Sequence, residues 1–359
     1  MDLDKVHHNA RSLVDALAER GISVTGVTKA TLGSAEIARA WLRAGVTALG
    51  DSRIENIETL RGADVRAPFT LIRSPMPSQV DRVVMQSDVS LNTEIDVIRR
   101  LSAAATDAGR THGVILMVEL GDLREGIMAA DLDDIVRETL SLPSLTLEGI
   151  GTNLACRSGV SPDAANMGEL SALADSIEQT FGLTLRTVSG GNSANLDWAL
   201  SGADTGRINE LRLGESLLLG REPLHRRPIE GLHGDAFTLV TEVIESKRKP
   251  SQPWGVIAQA AFGQPSASPG GGEMQQAILA IGEQDTDPAG LGAPPGIEIV
   301  AASSDHLVVD CGQERLLPGD GVRFQLNYSA LVRAMTSPFV AKVMQVAEPR
   351  IPTRTTSST

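Results

Sequence analysis

"ISVTGVTKATLGSAEIARAWLRAG", residues 22–45, decides how this chain folds. Residues 22–28 are an apolar, β-branched run of the length of a buried strand, and "SAEIARAWLRAG" is a helical pattern. Ser34 with Glu36 supplies a helix-start signal. Between the two elements the strand ends on Lys29 and breaks into small residues. Lysine is almost never fully buried without a partner. Lys29 therefore either marks the strand's exit into solvent or faces a site.

The same alternation continues to about residue 220. Strands are expected at 22–28, 46–50, 68–73, 87–91, 112–120, 146–151, 184–189 and 207–212, with helical patterns between them. Asn92 with Glu94 reads as another helix start. Eight such units predict a (β/α)8 TIM-type barrel. A doubly wound open sheet is the alternative, weakened because no strand–G-x-G-x-x-G–helix arrangement occurs. After "LLLGREPLHRRPIEG" (217–231) the texture becomes strand-like, with runs at 235–247, 254–262, 275–283, 296–311 and 314–327. The division expected is a barrel over 1–231, a smaller mostly-β domain over 232–345 and a disordered tail over 346–359. Gly/Pro-rich loops are expected at 263–273 and 284–296.

Composition narrows the function. The net charge of −13 and the 3% aromatic content disfavour nucleic acid and anionic membranes as partners. The N-terminal amphipathic helix, with Val6, Ala10, Leu13 and Leu17 on one stripe, is neither a secretory signal nor a transit peptide, and no run approaches a membrane span. Cys156 and Cys311, the only two cysteines, suit a reducing cytoplasm. No metal site is expected: the cysteines lack ligand spacing and His7-His8 point to different sides of a helix.

In a barrel of this type the active site lies at the C-terminal ends of the strands. Those ends read Lys29, "GDSRIEN", "IRSPM", "LNTE", "ELGDLREG", "GTNLAC", "SGGNSANL" and "LRLGESLLLG". Gly190 and Gly191 let backbone approach a ligand, and Asn192 and Ser193 begin the next helix, an arrangement that holds anions. A glycine turn with an ordinary helix cap reads equally well from the motif alone. Barrel closure sets strand one beside strand eight, so Lys29 would neighbour this phosphate position. A lysine beside a phosphate site suits a phosphorylated aldehyde cofactor, pyridoxal 5'-phosphate.

"VTKA", "ELGDLREG", "GTNLAC", "GGNSANL", "LRLGESLLLG" and "LNYSALVRAMTSPFV" together resemble the alanine racemase superfamily, pyridoxal-phosphate enzymes of fold type III. "GDSRIENI", "GIGTNL", "AFG" and "SSDHLVVD" look most like its ornithine racemase-like branch, over nearly the whole chain. The resemblance implies an amino-acid racemase of ornithine or another basic amino acid, acting as a homodimer. It implies that Lys29 carries the cofactor and that Arg212 faces its ring nitrogen. Asn192, Ser193 and the backbone of Gly214 and Glu215 would hold the phosphate, with help from Tyr328. Arg124 would take the substrate carboxylate, with Asn153 nearby. Ser304 and Asp305 would enter the partner's site.

Departures from alanine racemase concern the substrate. Ala30-Thr31-Leu32-Gly33 lacks that enzyme's phosphate-binding tyrosine, Asn153 stands at its histidine, and Met117 at its modified lysine. Its second catalytic base, a tyrosine, aligns with Glu283 in "IGEQDTD". Racemisation needs an acid/base on each face of Cα. Lys29 serves one face, and Cys156, Glu283 and Asp305 are the candidates for the other. Cys156 reads equally as a small buried hydrophobe, Glu283 as a group for a distal ammonium, and His306 as structural. Arg53 and Glu55 either face substrate or pair with surface charges. A fold-type III lyase and a non-catalytic cofactor-binding protein are the competing functions.

Overall fold

The computed structural model describes residues 1–259 and 271–345. Eight parallel strands close a barrel in chain order. They are β1 Ser23–Val27, β2 Ala48–Asp51, β3 Phe69–Leu71, β4 Val89–Asn92, β5 His112–Met117, β6 Leu145–Gly151, β7 Thr187–Ser189 and β8 Glu210–Leu213. Closure runs through parallel pairing of β1 with β8, in the register Thr25 to Arg212 and Gly26 to Leu213. A closed barrel rules out the open doubly wound sheet.

The first unit explains why the helices lie on the outside. Val24 and Gly26 face outward, Thr25 and Val27 inward, by the two-residue period of a strand. A Cβ on Gly26 would lie 2.8 Å from Trp41 Cε3, so the indole of helix Ala35–Arg43 packs against bare backbone. Ser34 caps that helix, accepting the Ile37 N–H, and its hydroxyl donates to Glu36. Helix Leu3–Ala18 starts on Asp2 and buries Val6, Ala10, Leu13 and Leu17.

The second unit is a six-stranded antiparallel sheet of order β11-β14-β9-β10-β13-β12. Its strands are β9 Thr238–Pro250, β10 Glu273–Leu279, β11 Leu291–Gly292, β12 Glu298–Ala302, β13 Leu307–Asp310 and β14 Gly321–Leu326. Leu239, Val243, Leu279, Val309 and Phe324 form its own core. Helix Tyr328–Thr336 follows β14, and Leu331 and Met335 pack into the barrel core while Ala334 packs into the sheet.

Three sequence expectations change. Asn92 does not start a helix: it ends β4 and its amide donates back to Ser90 O at 2.8 Å, so the helix begins at Ile95 after Glu94. The strand expected at 254–262 is irregular over 254–259, with Trp254 and Val256 exposed, because β10 pairs directly with β9 and leaves no slot between them. Residues 260–262, most of the loop at 263–273 and the tail from 346 lie outside the described residues. The loop at 284–296 contains a 3-10 turn, Pro288–Gly290, and the short β11.

Gly149 marks the tightest contact in the barrel wall. A Cβ there would lie 1.8 Å from Thr187 O, on backbone that cannot step aside. Gly149→Ala is expected to cost more than the ~1–3 kcal/mol of ordinary core overpacking. Urea midpoints of the two proteins check this.

Candidate active site

Lys29 opens a 3-10 turn, Lys29–Thr31, directly after β1. Its side chain is reached by solvent at the barrel mouth, yet protein surrounds most of it. The amine makes no hydrogen bond or ion pair with a described residue. Burial lowers its pKa, with the cations Arg124 and Arg212 pushing the same way against Cys156 and Asp51. A lysine so placed is a better nucleophile at neutral pH than a surface lysine.

Arg212, on β8, is buried at 4% exposure. It donates to Ser189 Oγ and, at 2.7 Å, to the carbonyl of Thr152, which leaves N–H groups for a ligand. Burial draws its pKa below the usual arginine value. Beside it the loops after β7 and β8 interlock. Ser193 Oγ lies 2.9 Å from Ser216 Oγ and accepts the amides of Gly214 and Ser216 at 3.4 and 3.3 Å. Asn192 accepts the Ala194 amide at 2.8 Å and donates to Asn153 Oδ1 at 3.1 Å, while the buried Asn153 Nδ2 has no partner. Gly191, at φ +137, is required: a Cβ there would sit 2.2 Å from Asn195 Oδ1. The Glu215 carboxylate pairs with Arg226, and burial raises its pKa.

Arg124 and Cys156 come from the loops after β5 and β6, and one buried carboxylate ties those loops together. Asp122 accepts the amides of Cys156, Arg157 and Ser158 at 3.1, 2.9 and 3.0 Å, and its own carbonyl accepts Ser158 Oγ at 2.8 Å. Burial pushes its pKa up, but these amide bonds outweigh burial and hold it below the usual carboxylate range. Arg124 pairs with Glu125. Cys156 is exposed rather than buried, receives Asn192 Nδ2 at 3.5 Å, and neighbours Lys29, Arg124 and Arg212.

Tyr328 reaches the same mouth from the β domain: the first residue of its helix, it packs on the barrel core near Glu215, Cys156 and Asp51. Burial and those acids push the phenol up to about 12, so it stays protonated. Glu283, Ser304 and Asp305 are held together elsewhere. The Glu283 and Gln284 amides donate to Ser303 O and Ser304 O at 2.9 and 3.0 Å, and a Cβ on Gly282 would lie 2.5 Å from Asp305 N. Glu283 pairs with Arg333 at 3.2 Å, and Asp305 with His306 at 2.9 Å. None of the three interacts with Lys29 within the chain. Glu55 pairs with Arg82 on the surface.

Sequence reading passed over four contributors. Asp122 and Ser216 stand inside quoted motifs, but their role lies in contacts between loops. Thr152 serves through its carbonyl. Asp51, buried at the end of β2, accepts Thr28 Oγ1, the Arg53 amide and Asn56 Nδ2 at 2.7, 2.8 and 3.0 Å. Its position as a strand-terminal acid was the available signal. A cavity of about 700 Å³ between helix Leu3–Ala18, β9 and helix Tyr328–Thr336 contains none of the groups at the barrel mouth.

A closed parallel barrel with a lysine in the turn after its first strand, followed by an antiparallel β domain, is the alanine racemase fold. The alanine racemase of Streptomyces lavendulae superposes with a TM-score of 0.76 at 19% identity, covering 96% of each chain. The D-threonine aldolase of Filomicrobium marinum superposes at 0.72 with 15% identity, over 93% of this chain and 87% of that one. One fold thus hosts different reactions. The chain belongs to the alanine racemase family: the family's N-terminal domain model matches residues 1–222. It is 36% identical to the lysine racemase of Thermotoga maritima over 349 residues, 96% of this chain and 97% of that protein. It is 37% identical to the ornithine racemase of Acetoanaerobium sticklandii over 346 residues, 95% and 98% of the two chains.

Asp122 yields a test of loop coupling. Its folded pKa is depressed, so its contribution is present above the ordinary carboxylate range and lost as pH falls through the lowered value. Asp122→Asn is expected to cost about 1–3 kcal/mol at pH 7. The deficit shrinks in acid, as urea midpoints measured across pH will report.

Proposed function

We propose that this chain is a pyridoxal-phosphate-dependent racemase of a basic amino acid, ornithine or lysine, and that it works as a cytoplasmic homodimer. The single observation behind this reading is the mouth itself: the unpaired amine of Lys29 beside the buried Arg212 guanidinium. Full-length similarity to a lysine racemase and an ornithine racemase supplies the substrate class.

The residues present fit the cofactor. Lys29 offers an amine with no competing partner. Ser193, Ser216 and the Gly214 amide form a neutral donor set for a phosphate, and the nearby Glu215 is neutralised by Arg226. The orphaned Asn153 amide is a further donor facing the same loops. Tyr328, kept protonated, has a hydroxyl proton to donate. When bound, pyridoxal phosphate stabilises negative charge at the substrate Cα.

The protein directs where that charge goes. Arg212 keeps its proton, because a guanidinium is not deprotonated in proteins, so it offers the ring nitrogen a hydrogen bond and no proton transfer. Such a site favours return of the proton to Cα over transamination. Arg124 holds the substrate carboxylate in a two-pronged hydrogen bond, taking it in place of Glu125. Lys29 moves the proton on one face of Cα. Glu283, Ser304 and Asp305 serve the partner's site, where the acids meet the distal ammonium. In support, Leu32, Met76, Leu123 and Met128 leave an exposed apolar rim on the loops after β1, β3 and β5.

Two expectations follow. Lys29→Ala abolishes both the visible absorbance of the bound cofactor and racemisation. In the wild-type protein, chiral chromatography detects interconversion of ornithine or lysine enantiomers at least ~100-fold faster than of alanine, which offers the acids no distal ammonium. Equal rates on alanine, or products other than the enantiomer, would sink this reading.

A further inference from the structure

We propose that the Cys156 thiol is the proton carrier for the face of Cα opposite Lys29, and that Asp122 positions it. This rests on the racemase reading above. Around the closed barrel β6 lies three strands from β1, through β8 and β7, so the loop carrying Cys156 meets Lys29 across the mouth and not from a neighbouring strand. The thiol is exposed there among the cations Lys29, Arg124 and Arg212.

The backbone is built to hold that sulfur. Ala155 sits at φ +59 and Leu123 at φ +56, left-handed conformations that cost a residue with a Cβ about 1–2 kcal/mol. They are the immediate neighbours of Cys156 and Asp122, so the strain brackets the contact that fixes the thiol's amide. Asn192 then donates to the sulfur from the β7 loop. The alternatives are engaged elsewhere. Tyr328, the only tyrosine, is placed above among the donors for the phosphate. Within the chain Glu283 is bonded to Arg333 and Asp305 to His306.

The proton count closes. With one enantiomer, the thiolate takes the Cα proton, an S–H bond forms as C–H breaks, and the Lys29 ammonium delivers its proton to the other face. The electron pair left at Cα becomes the new C–H bond. The enzyme is left with neutral Lys29 and protonated Cys156, which is the starting state for the opposite enantiomer.

The test uses cofactor-loaded protein in deuterium oxide with each enantiomer of ornithine and of lysine. In Cys156→Ser and Cys156→Ala, racemisation should fall at least ~100-fold. Deuterium should still enter Cα of one enantiomer near the wild-type rate, and enter the other at least ~100-fold more slowly. Asp122→Asn should give the same asymmetry in weaker form. In wild-type protein, the basic amino acid should slow iodoacetamide alkylation of Cys156, read by peptide mass spectrometry with buried Cys311 as internal reference. Equal loss of exchange for both enantiomers, unchanged racemisation in Cys156→Ser, or the one-sided loss in Glu283→Gln instead would overturn the assignment. Wild-type protein that exchanges neither enantiomer would remove the racemase reading and this proposal together.

Discussion

Barrel closure through the β1–β8 pairing is the constraint on which the rest depends. It joins residues nearly two hundred positions apart and sets Thr25 level with Arg212. Local propensity makes the strands, but only closure brings Lys29 and Arg212 to one rim. Two cations bonded to no acid among the described residues amount to an electrostatic debt that an anionic ligand relieves. The barrel's lower interior is treated differently: there Glu210 meets the Thr25 hydroxyl across the same pair of strands.

The mouth is organised by carboxylates that are bonded to the backbone amides of its loops. Asp51 gathers the turn after β2, and Asp122 fastens the loop after β5 to the loop after β6. Glu222 does the same after β8, accepting the amides of Leu224, His225 and Arg227. Each converts backbone donors that loops leave unsatisfied into fixed geometry. Rigid loops on a rigid barrel are what a reaction at a single carbon atom requires.

Much of this was legible in the sequence because it is periodic or local. The strand–helix alternation gave the barrel, and Lys29, Arg124, Asn192, Ser193 and Arg212 fall at strand ends where chemistry gathers. What stayed hidden depends on contacts between distant segments. Nothing local tells that Asp122 reaches residues 156–158, or that Ser216 faces Ser193. Asn92 looked like a cap because its type favours caps, and the strand ladder claimed it instead. The run at 254–262 has strand composition but no neighbour to pair with, and composition cannot report a missing neighbour.

Gly282 limits how two loops of the β domain can vary in sequence. Its missing side chain lets Glu283 and the turn at residues 303–305 press together, with backbone on both sides of the contact. The two segments are therefore packed backbone to backbone, and a side chain at position 282 disturbs both. Substitutions at the side chains of Glu283, Ser304 and Asp305 leave that backbone contact in place, whereas any side chain at position 282 breaks it.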